Sequence, residues 1–300
     1  MNAQSGGVLV SIAIAVVAAV EVALPFANPL HTWWLALAVT LAGTYVLVAG
    51  IASLRAPGAG GGGGLACLGG ALLAASFAVA AFLGGAPERV PAAPGQTYRP
   101  PHSLGVTLDY PAVPPPAAAG FVWPSSIDID GPTGTRIASP GDVVRIGALV
   151  FKVSSGPCAL VDARTVRGQP LTITQPNGAD FLSPYLTFTG LDGEKPEDYF
   201  AVPAVHRNVQ VDYWSGLPSR GIDVPFLVLR IAEENGGALF QGVAVSGRTL
   251  KKAGFNLTFT LGDYPVVTAA SAPPLLPFCA GVAMLVIGAI LHAVRSLRKA

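Results

Sequence analysis

Residues 33–54 read Trp-Trp-Leu-Ala-Leu-Ala-Val-Thr-Leu-Ala-Gly-Thr-Tyr-Val-Leu-Val-Ala-Gly-Ile-Ala-Ser-Leu, and no charge interrupts them. As a helix this run is long enough to cross ~30 Å of hydrocarbon, for which ~20 apolar residues suffice. Three further stretches have the same character. Gly7 to Phe26 carries Glu21 as its single charge, and Leu65 to Leu83 and Leu275 to Val294 carry none. The first stretch resembles a signal-like anchor, but Met1 to Gly7 lacks the basic residues of a secretory signal. We read it as a helix that stays. The remaining composition agrees: 51% of the 300 residues are hydrophobic and 12% charged, about half the charge of an ordinary soluble domain. Mean hydropathy is +0.55. A net charge of +1 offers no basic surplus for a phosphate backbone, which excludes a nucleic-acid binder.

Orientation follows from the basic residues. Arg55 lies between the second and third spans, and Arg295, Arg298 and Lys299 come after the fourth, with no acid in either segment. The positive-inside rule assigns both to the cytoplasm. The loop Ala27–Thr32 has no Lys or Arg and falls outside. Both termini are then expected inside a bacterial plasma membrane, with residues 86–274 outside it. Setting aside those four basic residues and Glu21 leaves 14 bases against 16 acids in 86–274, a net of −2. Long domains are translocated largely regardless of charge, so this value only permits the assignment.

The chain divides into a three-helix region (1–85), a proline-rich linker (86–124), a β domain (125–272), and a last helix with a basic tail (273–300). Pro-Pro at 100–101 and Pro-Pro-Pro at 114–116 mark the linker as a stiff extended spacer. Beyond it come short runs rich in Val, Ile, Thr and Phe, punctuated by Gly, Pro and Asn: 143–153, 171–174, 185–189, 209–214, 226–231, 239–245 and 255–261. Val209, Val211 and Tyr213 alternate with Gln210, Asp212 and Trp214, the period of a strand. Asn235-Gly236 predicts a two-residue hairpin turn. The expected fold is four transmembrane helices, three N-terminal and one C-terminal, with a large extracytoplasmic all-β sandwich or barrel.

Chemistry-bearing residues are sparse. Cys67, Cys158 and Cys279 form no disulfide framework and no C-x-x-C pair, so Cys158 reads as a small buried hydrophobe. The absence of C-x-x-C-H excludes c-type attachment of haem to this chain. His31, His102, His206 and His292 show no metal-ligand spacing, which leaves no metal site to propose. Two imidazoles from separate segments are nonetheless able to clamp a haem iron. Gly60–Gly64 lacks the Lys and Ser or Thr of a phosphate-binding loop and reads as a flexible linker. Glu21 is costly inside a span unless it reaches the interface or serves a function. Gly69, Gly70, Gly281 and Gly288 permit close helix approach, and we expect them to face another membrane protein. Ser126, Asp128 and Asp130 have no neighbouring histidine, so no hydrolase triad is marked. Asn256-Leu257-Thr258 matches a glycosylation acceptor, a pattern too short to use.

Three helices, a large external β domain and one last helix is an order that resembles the ResB (CcsB) family of cytochrome c biogenesis proteins. The Asn28-Pro-Leu-His-Thr-Trp-Trp-Leu-Ala-Leu stretch leading to Leu54-Arg55 resembles the family's second helix. Gly69-Gly-Ala-Leu-Leu, with Pro94-Gly-Gln after it, resembles the third helix and the stretch beyond that helix. Phe226-Leu-Val-Leu-Arg-Ile, Gly247-Arg-Thr-Leu and Gly281 to Gly288 are similar to its final strands and last helix. The resemblance implies a non-enzymatic component that assists haem delivery and attachment to apocytochrome c outside the membrane. Its partner would be a ResC/CcsA-like membrane protein, whose tryptophan-rich haem motif is missing here. Haem itself is then the cofactor to expect, and His31 beside Trp33 and Trp34, with His206 as second ligand, are the candidate axial bases. Against the family's pattern, spans one to three contain no histidine. The alternative is a membrane-anchored structural or interaction subunit of a larger respiratory or redox complex, without haem.

Overall fold

The computed structural model describes residues 3–27, 32–56, 61–83, 87–90, 94–100, 105–112, 122–175, 180–181, 185–188 and 197–297. Its helices are α1 (Ala3–Ala23), α2 (Trp33–Arg55), α3 (Gly61–Leu83) and α4 (Leu275–Leu297). All four are long and apolar enough to cross a membrane. The strands are β1 (Glu88–Arg89), β2 (Thr97–Tyr98), β3 (Thr107–Asp109), β4 (Ile127–Gly131), β5 (Gly134–Ala138), β6 (Val143–Ile146), β7 (Leu149–Thr165) and β8 (Ile173–Thr174). They continue as β9 (Asp180–Phe181), β10 (Tyr185–Thr187), β11 (Glu197–Val202), β12 (Arg207–Trp214), β13 (Phe226–Glu233), β14 (Ala238–Ala244), β15 (Thr249–Lys252) and β16 (Phe255–Ser271).

Small residues decide the bundle. α3 is the hub, packed against α1, α2 and α4. A Cβ on Gly43 would strike Ala74, and one on Gly50 would lie 3.1 Å from the Cβ of Cys67, so α2 runs antiparallel to α3 at close range. Gly7 faces Cys67 and Gly70 faces Ser11, so α1 runs parallel to α3. Gly62 meets Gly288 and Gly69 meets Gly281, so α4 runs antiparallel to α3. The helices therefore alternate in direction. Arg55 and Arg295 share one end of the bundle, and the whole β region is inserted at the other.

These contacts correct two expectations. The glycine run is no linker from Gly61 onward: Gly61–Gly64 form the first turn of α3. Gly62 there lies so close to α4 that a Cβ would sit 2.7 Å from the His292 amide nitrogen, a fit that outweighs glycine's entropic cost in a helix. Gly281 and Gly288 do not face another protein. They are spent within the chain, against Leu73, Gly69, Ala66 and Gly62.

The β region is organised by one ladder. β7 and β16 pair antiparallel over seventeen positions, from Phe255 opposite Thr165 to Ser271 opposite Leu149. With β1, β6, β10 and β15 they form the first sheet; β14-β13-β12-β11-β8-β9 form the second and β2-β3-β4-β5 the third. The ladder serves two cores. Val161, Phe255 and Phe259 pack with Val209, Val211, Leu227 and Leu229 of the second sheet. Phe151, Val153, Leu160 and Val267 pack with Leu108, Ile127 and Ile129 of the third. Phe151 and Val153 face the second of these cores and Ala159, Val161 and Ala163 the first, and across Ser154-Ser155-Gly156-Pro157 the pairing with β16 runs unbroken.

The stretch read as a proline-rich spacer is not merely one. Its described residues supply β1, which pairs with β16, and β2 and β3 of the third sheet, and they bury Val90, Val106, Leu108 and Tyr110. Pro114–Pro116 lie outside the described residues. Asn235-Gly236 does close a hairpin between β13 and β14, though with a longer turn than expected. Gly236 alone has positive φ (+91°), its amide donates to the Glu233 carbonyl at 2.9 Å, and a register shift follows at Ile231/Ala232. That is a type I turn closed by a bulge.

Candidate functional site

The outer face of the second sheet carries a cleft. In β12, Val209 and Val211 point into the core, which turns Asn208, Gln210 and Asp212 outward. Pairing places Tyr199 of β11 opposite Gln210, Gln210 opposite Arg230 of β13, and Arg230 opposite Gln241 of β14. One register step away stand Ala201, Asn208 and Ala232. Two alanines beside longer side chains leave a depression of about 440 Å3, walled by Tyr199, Gln210 and Arg230 and, from β8, Thr174. The size falls in the range of small-ligand pockets.

Its polar groups are already cross-linked. Tyr199 Oη donates to Glu197 Oε1 at 2.7 Å, and Gln210 Nε2 donates to Glu197 Oε2 at 3.0 Å. The hydrogen bond to Glu197 also holds the Tyr199 hydroxyl above its ordinary titration range. Arg230 Nη2 stands 4.0 Å from Asp212 Oδ2, and Asp212 is nearly buried although its strand position faces outward. A half-exposed ring, side-chain amides and a guanidinium can hold hydroxyl, amide or main-chain groups. The cleft contains no paired nucleophile and base. Adjacent on the same face, Trp214 stacks on Phe226 with ring centroids 6.1 Å apart.

The residues singled out in the sequence are dispersed. His31 and His102 lie outside the described residues. His206 closes the 3-10 turn Pro203–Val205 in a left-handed conformation (φ 53°, ψ 50°), which histidine tolerates better than most residues. Its Nδ1 is 3.0 Å from Glu234 Oε2, and both side chains are largely exposed. A carboxylate on Nδ1 is the arrangement that orients a ligating imidazole, but the described residues give His206 no enclosing pocket. Trp33 and Trp34 stack with ring centroids 3.4 Å apart at the start of α2 and are exposed. Among the described residues no group of three or more His, Cys, Asp or Glu is placed to hold a metal ion.

Cys158 is buried, with its thiol 3.4 Å from the Gly262 carbonyl oxygen. Burial, helped by the charge of Asp263, pushes the thiol well above its usual range, so it is an inert core residue. Asp130 accepts hydrogen bonds from Thr107, at 3.5 Å, and from Thr135, and is spent in cross-strand pairing. Asn256 lies within the long ladder, donating to the Thr165 carbonyl at 3.2 Å. The cleft escaped the sequence reading because it is made by cross-strand register. Tyr199, Gln210 and Arg230 lie on three successive strands, and only the outward period of β12 hinted at them.

No known protein-family model matches this chain, and no curated protein matches it.

Proposed function

We propose that this chain is a membrane-anchored, non-catalytic subunit that presents its β region to a partner outside a bacterial plasma membrane. The observation that carries this reading is the alternating four-helix bundle, with Arg55 and Arg295 at one end and the whole β region at the other. The cleft of Tyr199, Gln210 and Arg230, beside the Trp214–Phe226 stack, supplies a docking face. Trp, Tyr and Arg are the side chains that contribute most to protein interfaces.

The specific form of the proposal is the ResB-like one: a component of cytochrome c maturation that assists haem delivery to apocytochrome c beside a ResC/CcsA-like protein. The order of elements and the resemblance of the second and last helices support it. The exposed, Glu234-bound His206 favours the second form, a structural subunit of a larger redox assembly without haem. Purifying the full chain from haem-replete cells, with and without a co-expressed ResC/CcsA-like protein, separates them. A Soret band lost in His31→Ala or His206→Ala, together with co-purification, supports the first form. Co-purification of other redox subunits with no Soret band supports the second. A protein that runs alone and is unaffected by Arg230→Ala or Trp214→Ala overturns both.

A further inference from the structure

An edge strand offers unpaired main-chain groups to other chains, and proteins guard such edges by brevity, charge or proline. Among the described residues eight strands end a sheet, and seven of them are guarded in this way. β1, β2, β9 and β10 have only two or three residues, while β5 carries Arg136, β6 Arg145, and β15 Lys251 with Lys252. β14 is the exception. It ends the second sheet with seven residues, Ala238-Leu-Phe-Gln-Gly-Val-Ala244, without a charge or a proline.

Five regular pairs, from Ile231 opposite Phe240 to Leu227 opposite Ala244, tie β14 to β13, and the bulge lies beyond them at the hairpin end. No other main-chain hydrogen bond reaches 238–244 among the described residues. Alternate N–H and C=O groups of the strand therefore point away from the sheet. The side chains make the same rim apolar. Leu239, Gln241 and Val243 are exposed, as is Val245 just past the strand. Phe240 and Ala244 turn to the core, and Lys252 of β15 rests over the Phe240 ring, 5.8 Å from its centre.

We propose that β14 takes up an extended, uncharged segment of a partner protein, apolar at alternate positions, as an added strand of the second sheet. Main-chain hydrogen bonds would hold the segment, and Leu239, Val243 and Val245 would meet its side chains. Gln241 stands opposite Arg230 and Val243 opposite Val228, so the added strand continues the face that holds the cleft. That continuity favours a partner over a second copy. The edge is roughly 23 Å by ~10 Å, so two copies paired there alone would bury about 500 Å2 in all. Stable interfaces need ~1,200 Å2. A partner that lays one strand on β14 and continues over the cleft reaches that size. The proposal deepens the reading of the β region as a docking module and rests on it.

The test uses the full chain in lipid nanodiscs and, as probe, a fluorescein-labelled heptapeptide of alternating Val and Thr. Saturable binding is expected between about 10 μM and ~1 mM, with slower hydrogen exchange at 238–244. The same peptide with its amides N-methylated keeps its side chains and loses its main-chain donors. Its affinity should fall about tenfold or more. Val243→Lys puts a charge on the edge and should weaken the probe by about as much, whereas Val243→Thr leaves the rim neutral and should bind it as the parent does. If Val243→Lys does not accumulate, Leu239→Lys decides. No binding at ~1 mM, or binding indifferent to N-methylation and to the edge charge, overturns the proposal. A dimer of the chain that Val243→Lys abolishes gives the edge to a second copy and overturns it as well. Partner co-purification lost in Arg230→Ala but untouched by Val243→Lys removes the edge and leaves the docking face standing.

Discussion

A methyl group on Gly69 would sit 2.6 Å from the carbonyl oxygen of Gly281, and one on Gly281 would sit 3.0 Å from that of Gly69. Seven residues further along each helix the relation repeats. A Cβ on Gly62 would be 2.9 Å from the Gly288 oxygen, and one on Gly288 would be 2.7 Å from the Gly62 oxygen. α3 and α4 thus meet backbone to backbone over two turns of glycine pairs. In lipid, where apolar burial gives no driving force between helices, such contact is what holds them.

Gly69→Leu and Gly281→Leu should therefore act within the chain. Each must push α4 off α3, at a cost of about 1–3 kcal/mol. Because α4 continues from β16, the joint with the β region should loosen with it. The check is the thermal midpoint of the purified chain in mild detergent, which should fall for both variants at unchanged oligomeric state. A variant that changes only association with other proteins would contradict the contacts described.

The helices were legible because transmembrane length and apolarity are local properties, and Trp33 to Leu54 needs no neighbour to be read. Strands such as 209–214 and 226–231 were legible for the same reason. The seventeen-residue ladder was not. Ser154-Ser155-Gly156-Pro157 and Gly262-Asp263-Tyr264-Pro265 carry turn-forming residues inside β7 and β16, and local propensity breaks both strands there. Tertiary pairing overrides it. Glycine at 61–64 misled in the same direction, since its helical state is fixed by packing against α4 and α2 and not by propensity. The cleft depends on cross-strand register, which spacing along the chain does not carry.

Gly262→Ala tests the middle of the ladder. The indole of Trp123 packs over Gly262 so closely that a Cβ would overlap the ring, while the opposite residue, Cys158, fills the core beneath. Trp123 belongs to the segment that leads from the proline-rich stretch into β4. Displacing it should cost about 1–3 kcal/mol and move the indole toward water. A red-shifted tryptophan emission, lost in Trp123→Phe, together with a lower unfolding midpoint, is the expected result.

Cys158 should be silent in the folded protein. Its thiol is raised above the ordinary range by burial, so the thiolate that alkylating reagents need is scarce at pH 8. Iodoacetamide should leave Cys158 unmodified in the native chain and modify it after denaturation, as read by peptide mass. The sign for stability comes from the same shift. The folded state binds the thiol proton more tightly than the unfolded chain, so this contribution is complete below ~8.5, the unfolded thiol value, and is lost as pH rises beyond it. Cys158→Ala should flatten that alkaline decline.

Orientation in the membrane is open to direct measurement. Alternating helix directions place Ser296, at the end of α4, on the opposite side of the bundle from Arg167, in the exposed turn after β7. The acid-free basic residues Arg55 and Arg295 fall on the Ser296 side, which the positive-inside rule makes cytoplasmic. Single cysteines at these two positions, in a background where Cys279 is replaced by serine, put that rule to the test. A membrane-impermeant maleimide added to intact cells should label Arg167→Cys strongly. It should label Ser296→Cys only after the membrane is opened. The reverse pattern would put the β region in the cytoplasm and remove the basis for any role outside the membrane.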